Sequence, residues 1–424
     1  MNRTHFKFFL STVLMLFCGF SLIFIHRNPT ISNVNYADFK YLPWIASALI
    51  MAIIIEIVVV RIKSRRCAWM FSCACFLSCL GILAIARLDY ALTIPQIRWF
   101  IVGMAAFIVA VRSEKILRQM LNYEYILGIS CIILLIIPLI FGVDIGGNKN
   151  WLILGNFRIQ PSEFAKILLV FFLAAYLSEH RKTLDLREKR LLFFKLPPIR
   201  FLAPLIAIWG ASLLMFVVAR DLGAALIFFA VAVVMTYAAT GNKSYFIFAL
   251  VFFVTGAIIS YYAFNHVQIR FNIWLNPWSD PRGAAYQIVE SLFAIENGNV
   301  WGAGFTKGYP TFIPEVHTDF IFSAIAEELG LVGSISLILI YSLFFYQSVV
   351  ISLASVKEEE MLLIFGAGIM FFLQTFIIMG GVTKFFPLTG VTLPFMSYGG
   401  SSMVSCFILL GVIVALSRKE NVNV

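Results

Sequence analysis

Residues 276–333 read NPWSDPRGAAYQIVESLFAIENGNVWGAGFTKGYPTFIPEVHTDFIFSAIAEELGLVG. No other part of the chain runs so far without an apolar stretch of membrane length. It carries Asp280, Glu290, Glu296, Lys307, Glu315, His317, Asp319, Glu327 and Glu328, in a chain of which only 13% is charged. The sequence around it is 61% hydrophobic, and mean hydropathy is +0.92. Repeated apolar runs near twenty residues are what a bilayer requires, so the soluble classes are excluded. The fold is read from this contrast: a membrane scaffold that holds one polar loop at one face.

The apolar runs predict an all-α polytopic protein with about twelve spans, at 8–25, 42–60, 69–86, 98–111, 125–141, 159–177, 201–218, 222–240, 244–264, 328–350, 361–380 and 400–416. The basic start, 1–7, leads into a run too long for a signal-peptide core and without a small-residue cleavage pattern, which predicts a first span. Lys and Arg collect in the 61–66, 112–118, 178–200 and 417–420 loops. The positive-inside rule then puts both termini in the cytoplasm and the 265–327 loop outside. It also accounts for the net charge of +10, which no nucleic-acid motif accompanies. The seven cysteines, in or beside apolar runs and without zinc spacing to His, read as small core residues.

Polar residues converge on the outer ends of these spans. Asp280 lies in a Trp-Ser-Asp-Pro-Arg-Gly turn, where a carboxylate can serve as a general base or simply cap the turn. Glu163 and Lys166 are three apart at the start of a span, share a helix face, and pair either functionally or structurally. Asp221 follows Arg220 at a helix start and suits a cap. Glu315, His317 and Asp319 lack the spacing of a dedicated zinc site and better suit a transient divalent ion shared with a phosphate, while Asp319 is also placed to cap the next span. Lys149, Arg158, Arg220, Arg270, Lys307 and Lys384 are cations of the same face, able to clamp a diphosphate or to snorkel. Gly302-Ala303-Gly304 reads as a flexible turn with no nucleotide role. The stretch 389–402, rich in Gly, Pro and Ser, reads as irregular backbone lining a cavity.

Together QPSEFAK (160–166), DLGAAL (221–226), NPWSDPRGAAYQIVESLFAI (276–295), PEVHTDFIFSAIAEELGLVG (314–333) and FPLTGVTLPFMSYGGSSM (386–403) resemble the SEDS family of peptidoglycan polymerases, the RodA, FtsW and SpoVE type. The resemblance spans roughly 125–418 and divides the chain into N-terminal helices, 1–124, and a core, 125–424. It implies a ten-helix core, with about two helices added before it. It implies glycosyl transfer from lipid II on the outer face of the bacterial plasma membrane, with Asp280 catalytic and Glu163–Lys166 supporting a cavity. Substrate-binding candidates are then Arg220, Asp221, Arg270, Gln287, Ser291, Lys307, Glu315, His317, Asp319, Ser397 and Ser401. A loosely bound Mg or Mn ion, held by Asp280 at most, and no nucleotide are implied. So are three sets of partners: polyprenyl-linked glycan, a class B penicillin-binding protein, and divisome or elongasome proteins. The chain departs from the family pattern at Asn150, at Ala219-Arg220, at Lys384 and at Asn297-Gly298-Asn299. The competing functions are a lipid II flippase, which would show repeat halves and a midplane site, and a non-catalytic scaffold tolerant of change at Asp280.

Overall fold

The computed structural model describes residues 3–27, 42–62, 64–145, 148–155, 157–184, 189–191, 194–196, 202–208, 210–211 and 221–418. Two N-terminal helices, α1 (Arg3–Arg27) and α2 (Leu42–Ile62), precede α3 (Arg65–Leu88) and α4 (Thr93–Arg112). A short α5 (Glu114–Met120) leads to α6 (Glu124–Phe141) and a three-stranded antiparallel sheet, β1 (Val143–Ile145), β2 (Asn148–Leu154) and β3 (Phe157–Ile159). Then follow α7 (Pro161–Leu184), a β4–β5 hairpin (Lys189–Leu191, Phe194–Leu196) and a helical piece at 202–208 (α8). The chain continues through α9 (Leu222–Thr240), α10 (Lys243–Ala263), α11 (Asn265–Leu275) and α12 (Tyr286–Gly298). It ends with α13 (Ile321–Leu353), α14 (Glu358–Val382) and α15 (Gly400–Leu416).

Among the described residues eight helices are long and apolar enough to cross a membrane. Three shorter apolar helices, Ser11–Phe24, Pro43–Glu56 and Gly400–Leu416, join them. One expected span, 201–218, falls largely outside the described residues. Several boundaries differ from the expectation. The run at 98–111 is the inner part of a full twenty-residue helix, because Thr93 and Gln96 are buried polar residues that a hydropathy window discards. The span expected at 328–350 starts seven residues earlier, at Ile321, and is broken at Gly330 (φ 67°, ψ −165°). The 265–327 loop is partly helical, holding α11 and α12.

Local chemistry explains the turns. Pro161 opens α7, where its missing N–H costs nothing. The α9–α10 hairpin turns on Gly241 in the left-handed region (φ 66°), followed by Asn242, whose side chain accepts from Ser244 N. In lipid the drive to pack comes from close contact, which small residues permit. A Cβ at Gly411 would stand 2.6 Å from Ala110, and one at Gly103 2.7 Å from Phe407, so α15 seats directly on α4. The buried centre is formed by α3, α7, α9, α14 and α15, with α1 and α2 packed on α3 and α4. Helices α6 and α10 turn Ile126, Ile129, Ile133, Phe246, Leu250 and Val254 outward, as lipid-facing helices must. Six cysteines are buried and Cys18 is exposed. Glu56, a lone acid within a span, accepts from Ser72 Oγ at 3.0 Å.

The end where α4, α6 and α13 meet their short loops is tied by ion pairs. Arg118 bridges Glu114 (3.2 Å) and Glu360, Arg181 meets Glu358 at 2.5 Å, and Lys357 meets Glu359 at 3.4 Å. Glu358 and Glu360 therefore carry partners from the neighbouring basic segments, and Glu359 pairs within its own loop. The described functional candidates lie at the other end.

Candidate functional site

Among the described residues α4, α7, α9, α13 and α15 begin at this other end, as does α2, whose Trp44 lies under Arg98 of α4. Hydrogen bonds from backbone and side chains cross-link several of their starts. Gln96 Nε2 donates to Ser397 O (3.1 Å), Gln160 N to Ser401 Oγ (3.1 Å), and Tyr398 N to His317 O (2.8 Å). Each helix start leaves unpaired N–H groups and the positive end of a dipole, so the end as a whole favours anions.

Within it lies a charged chamber. Lys166 Nζ donates to Glu163 Oε1 at 2.8 Å and to Gln374 Oε1 at 3.0 Å, while Ser405 Oγ donates to Glu163 Oε2 at 2.8 Å. Gln374 is itself held, its Nε2 donating to Thr392 O at 2.8 Å. Glu163 and Lys166 are buried, at 5% and 6% exposure, so each charge depends on the other and on these hydrogen bonds.

Asp221 caps α9, accepting from Ala224 N at 2.9 Å, and its other oxygen accepts from Asn150 Nδ2 at 2.6 Å. Burial raises its carboxyl above the usual range, opposed by the Ala224 N–H and the Arg270 charge. Arg270, on α11, is pushed down by burial and supported by Asp221 and Asp319. Asp319 is raised from 3.8 to about 7, first by desolvation and then by Glu315, with Arg270 opposing. It closes on the 389–391 turn: a Cβ at Gly390 would lie 3.4 Å from Asp319 Oδ2, and one at Gly223 2.8 Å from Thr389 O. Asn150 Oδ1, Arg270 Nη1 and Thr389 Oγ1 are buried without a hydrogen-bond partner among the described residues. Buried polar atoms are almost always satisfied, so orphans gathered around one pair of acids mark a place for water or ligand.

Asp280 is built differently. Helix α11 carries Arg270 towards Asp221 and Asp319 and ends at Leu275. A 3₁₀ turn, Pro277–Ser279, then delivers Asp280. Trp274 Nε1 donates to Lys384 O at 3.1 Å, fixing the helix to the turn after α14. Asp280 is exposed, and its Oδ2 accepts from Ala284 N at 2.8 Å. Its other oxygen has no partner among the described residues. A Cβ at Gly283 would stand 2.3 Å from Oδ2, so the glycine is what lets the carboxylate fold over its own turn.

The remaining candidates sort by environment. Ser291 is fully buried, 2.7 Å from Ser323 Oγ and donating to Val382 O at 2.9 Å, a joint between α12, α13 and α14. Ser397 Oγ accepts from Leu393 N at 2.8 Å, shaping the turn before α15. His317 stands 3.6 Å from Glu315 and edge-on to Tyr398. Gln287 is half-buried on α12, and Lys307 is exposed. Lys149 is spent on Leu139 O at 2.8 Å rather than facing the chamber. Arg220 lies outside the described residues. Asp319 does not cap α13: the cap position is Phe320, with no side-chain bond, because the Asp319 carboxylate turns towards Gly390 and Arg270. Gly302-Ala303-Gly304, expected to be flexible, is instead bonded to α13, Ala303 N to Glu327 O at 2.9 Å and Gly304 N to Glu328 O at 3.0 Å. Sequence reasoning missed Gln374, Ser405 and Gln96. Their signal was a lone polar residue inside an apolar span, which in a bilayer needs a partner.

No cluster of three or more His, Cys, Asp or Glu able to hold a metal occurs among the described residues. A magnesium-type ion needs only one or two carboxylates when phosphate supplies the rest, and the free oxygen of Asp280 fits that donor set.

Fold and site together define a multi-pass membrane protein with a buried charged chamber at one end and an exposed carboxylate on the turn that follows α11. The chain belongs to the FtsW/RodA/SpoVE family, described as "Cell cycle protein", whose family model matches residues 83–422. It is 38% identical over 352 residues to the peptidoglycan glycosyltransferase RodA of Mycobacterium tuberculosis (strain ATCC 25618 / H37Rv), covering 80% of this chain and 75% of the relative. It is 33% identical over 301 residues to stage V sporulation protein E of Bacillus subtilis (strain 168), covering 70% and 79%. A chain of a peptidoglycan synthase complex shares the fold, with a TM-score of 0.63 at 24% identity over 82% of this chain and 96% of that one. The rod shape determining protein RodA of Thermus thermophilus does so at 0.59 and 22%, over 82% and 94%.

Proposed function

We propose that this chain is a peptidoglycan glycosyltransferase, polymerising lipid II into glycan strands at the outer face of a bacterial plasma membrane, with both termini cytoplasmic. The observation that carries the reading is α11. One eleven-residue helix brings Arg270 to the buried acids and ends in the turn that presents Asp280, so a chamber of paired buried charges and an accessible carboxylate are joined by one element.

The donor is the lipid-linked glycan, with a diphosphate on its anomeric carbon. The acceptor is the 4-hydroxyl of a second lipid II. Asp280 takes the acceptor proton as the oxygen attacks, and inversion at the anomeric carbon gives the β-1,4 link. Arg270, Lys166 and the helix N-termini favour the negative charge that builds on the departing undecaprenyl pyrophosphate. Alternatively, Asp280 and the substrate phosphates would hold a divalent ion, which would supply charge neutralisation and help deprotonate the acceptor. The Glu163–Lys166 pair keeps the chamber charged and in register without itself reacting. A class B penicillin-binding protein of the divisome or elongasome crosslinks the product. This partner is supported by the likeness to a chain of a peptidoglycan synthase complex.

The test supplies lipid II in detergent, where no flipping is needed, to the purified chain with and without its penicillin-binding partner. Glycan polymer on a gel is the expected result, reduced by chelation and restored by Mg or Mn. Absence of polymer in both arms overturns the enzyme and favours a transport role.

A further inference from the structure

A second buried charge cluster lies away from the chamber, where α3 ends. Arg87, in the last turn of α3, donates from Nε to Glu328 Oε1 at 3.0 Å and from Nη2 to Thr306 O (3.2 Å) and Gly308 O (2.9 Å). Beside it Glu327 Oε1 accepts from Tyr309 N at 2.8 Å. The surroundings are apolar: Leu80, Ala84, Leu88, Phe305 and Pro310 line the small cavity that Arg87 and Glu328 share.

The break at Gly330 explains what this cluster holds. It frees carbonyls and amides of α13, and the loop takes them. Ala303 N and Gly304 N donate to Glu327 O and Glu328 O, while Leu331 N and Val332 N donate to Asn299 O (2.9 Å) and Val300 O (3.2 Å). Three glycines let the backbones meet. A Cβ at Gly298 would lie 2.0 Å from Ala326 O, at Gly302 2.2 Å from Glu328 O, and at Gly330 2.3 Å from Gly302 N. The segment 298–310 and the half-helix 321–329 are thus one block, pinned to α3 by Arg87. Asp319 sits two residues before that half-helix. Phe305 of the same block packs against the apolar cluster that Leu16 and Ile23 of α1 form with Cys79, Leu83 and Ala86 of α3.

We propose that Arg87 is a positioning residue: it fixes the register of this block against α3 and so the placement of Asp319 beside Arg270 and Gly390. A buried ion pair adds little stability over apolar packing of the same shape, but its bonds are directional. Three directed bonds from one guanidinium set a register that apolar contacts of Phe305 and Leu88 leave free to slide.

For its catalytic readout the inference rests on the glycosyltransferase reading. The test compares the full-length parent in detergent with Arg87→Ala and Arg87→Lys, by lipid II polymerisation kinetics and by hydrogen exchange over 298–312. Arg87→Ala is expected to lower kcat about tenfold to a hundredfold, the scale of a small misplacement near the reacting groups, with KM within about twofold. Exchange at Ala303, Gly304 and Tyr309 is expected to rise about tenfold or more, the effect of losing about 1.4 kcal/mol of local closure. Arg87→Lys keeps the charge but not the fork, and is expected to lie between. It carries the same test should the alanine variant not fold. Unchanged kcat, or unchanged exchange over 298–312, overturns the proposal, as does a loss seen only in KM. A parent that makes no glycan sinks the glycosyltransferase reading instead, and the exchange arm still decides whether Arg87 pins the block.

Discussion

Glu163 and Asp280 stand at the same end of the molecule in opposite surroundings. Glu163 is buried, and both of its oxygens are engaged, by Lys166 and Ser405. Asp280 is exposed, holds one backbone N–H, and keeps an oxygen free. A buried carboxylate with both oxygens already engaged is poorly placed to accept a substrate proton. An exposed one with an oxygen left free is well placed to do so. The difference teaches that the burial that makes Glu163 conspicuous in a membrane span also engages its oxygens, whereas Asp280 is the carboxylate that water and a substrate can reach.

The sharpest way to break that contrast is Asp280→Asn. Polymerisation is expected to fall by roughly a hundredfold to ten-thousandfold, the share of a positioned general base. Melting in detergent should barely move, since exposed substitutions usually stay within about 0.5 kcal/mol. Glycan synthesis at the parental rate would remove Asp280 from the reaction.

The opposite signature is expected at the pair. Lys166→Met leaves Glu163 buried and uncompensated and should cost about 3–5 kcal/mol of stability. The double variant Glu163→Gln/Lys166→Met should recover most of that loss in a denaturant or thermal cycle. Additive losses would show that the two charges do not depend on each other.

A smaller effect tests how Asp280 is aimed. Gly283→Ala places a methyl group against Oδ2, and about a tenfold drop in rate, about 1.4 kcal/mol, is expected with stability nearly unchanged. An unaffected rate would mean that the folded-over carboxylate geometry is not the reacting one.

The smallest expected effect is a slope. Asp319 is raised from 3.8 to about 7, so the fold favours its neutral form. That contribution is complete below 3.8 and is lost as pH rises towards about 7. The parent's melting temperature should therefore decline over this window more steeply than that of Asp319→Asn, which cannot ionise. Parallel curves would dismiss the environment described for Asp319.

Much of this was legible before any coordinates. Apolar run length predicts spans because a bilayer leaves backbone polar groups no other partner. Glu163 and Lys166 pair because helical spacing puts residues three apart on one face. Asp221 caps α9 as a carboxylate at a helix start should. The misreadings share one cause: windowed hydropathy sees composition, and long-range hydrogen bonds are not composition. It clipped Thr93 and Gln96 from α4, although Gln96 is held by the turn at Ser397, and it delayed the start of α13 past a half-helix whose acids are paired with Arg87 and Tyr309. Gly302-Ala303-Gly304 read as loose because its partners lie 24 residues onward, on a helix that breaks to receive it.

The sequence by itself determined that the chain crosses a membrane repeatedly, that its polar chemistry gathers at one end, and which short motifs carry it, because periodicity, charge asymmetry and turn residues act over a few neighbours. Only the tertiary structure decided which acids are held and which is free, that Gln374 and Ser405 complete the ion pair, and that Arg87 reaches a loop more than two hundred residues away. Those outcomes depend on which helix starts meet in space and on how far water is excluded between them, and neither is written in any local stretch of the chain.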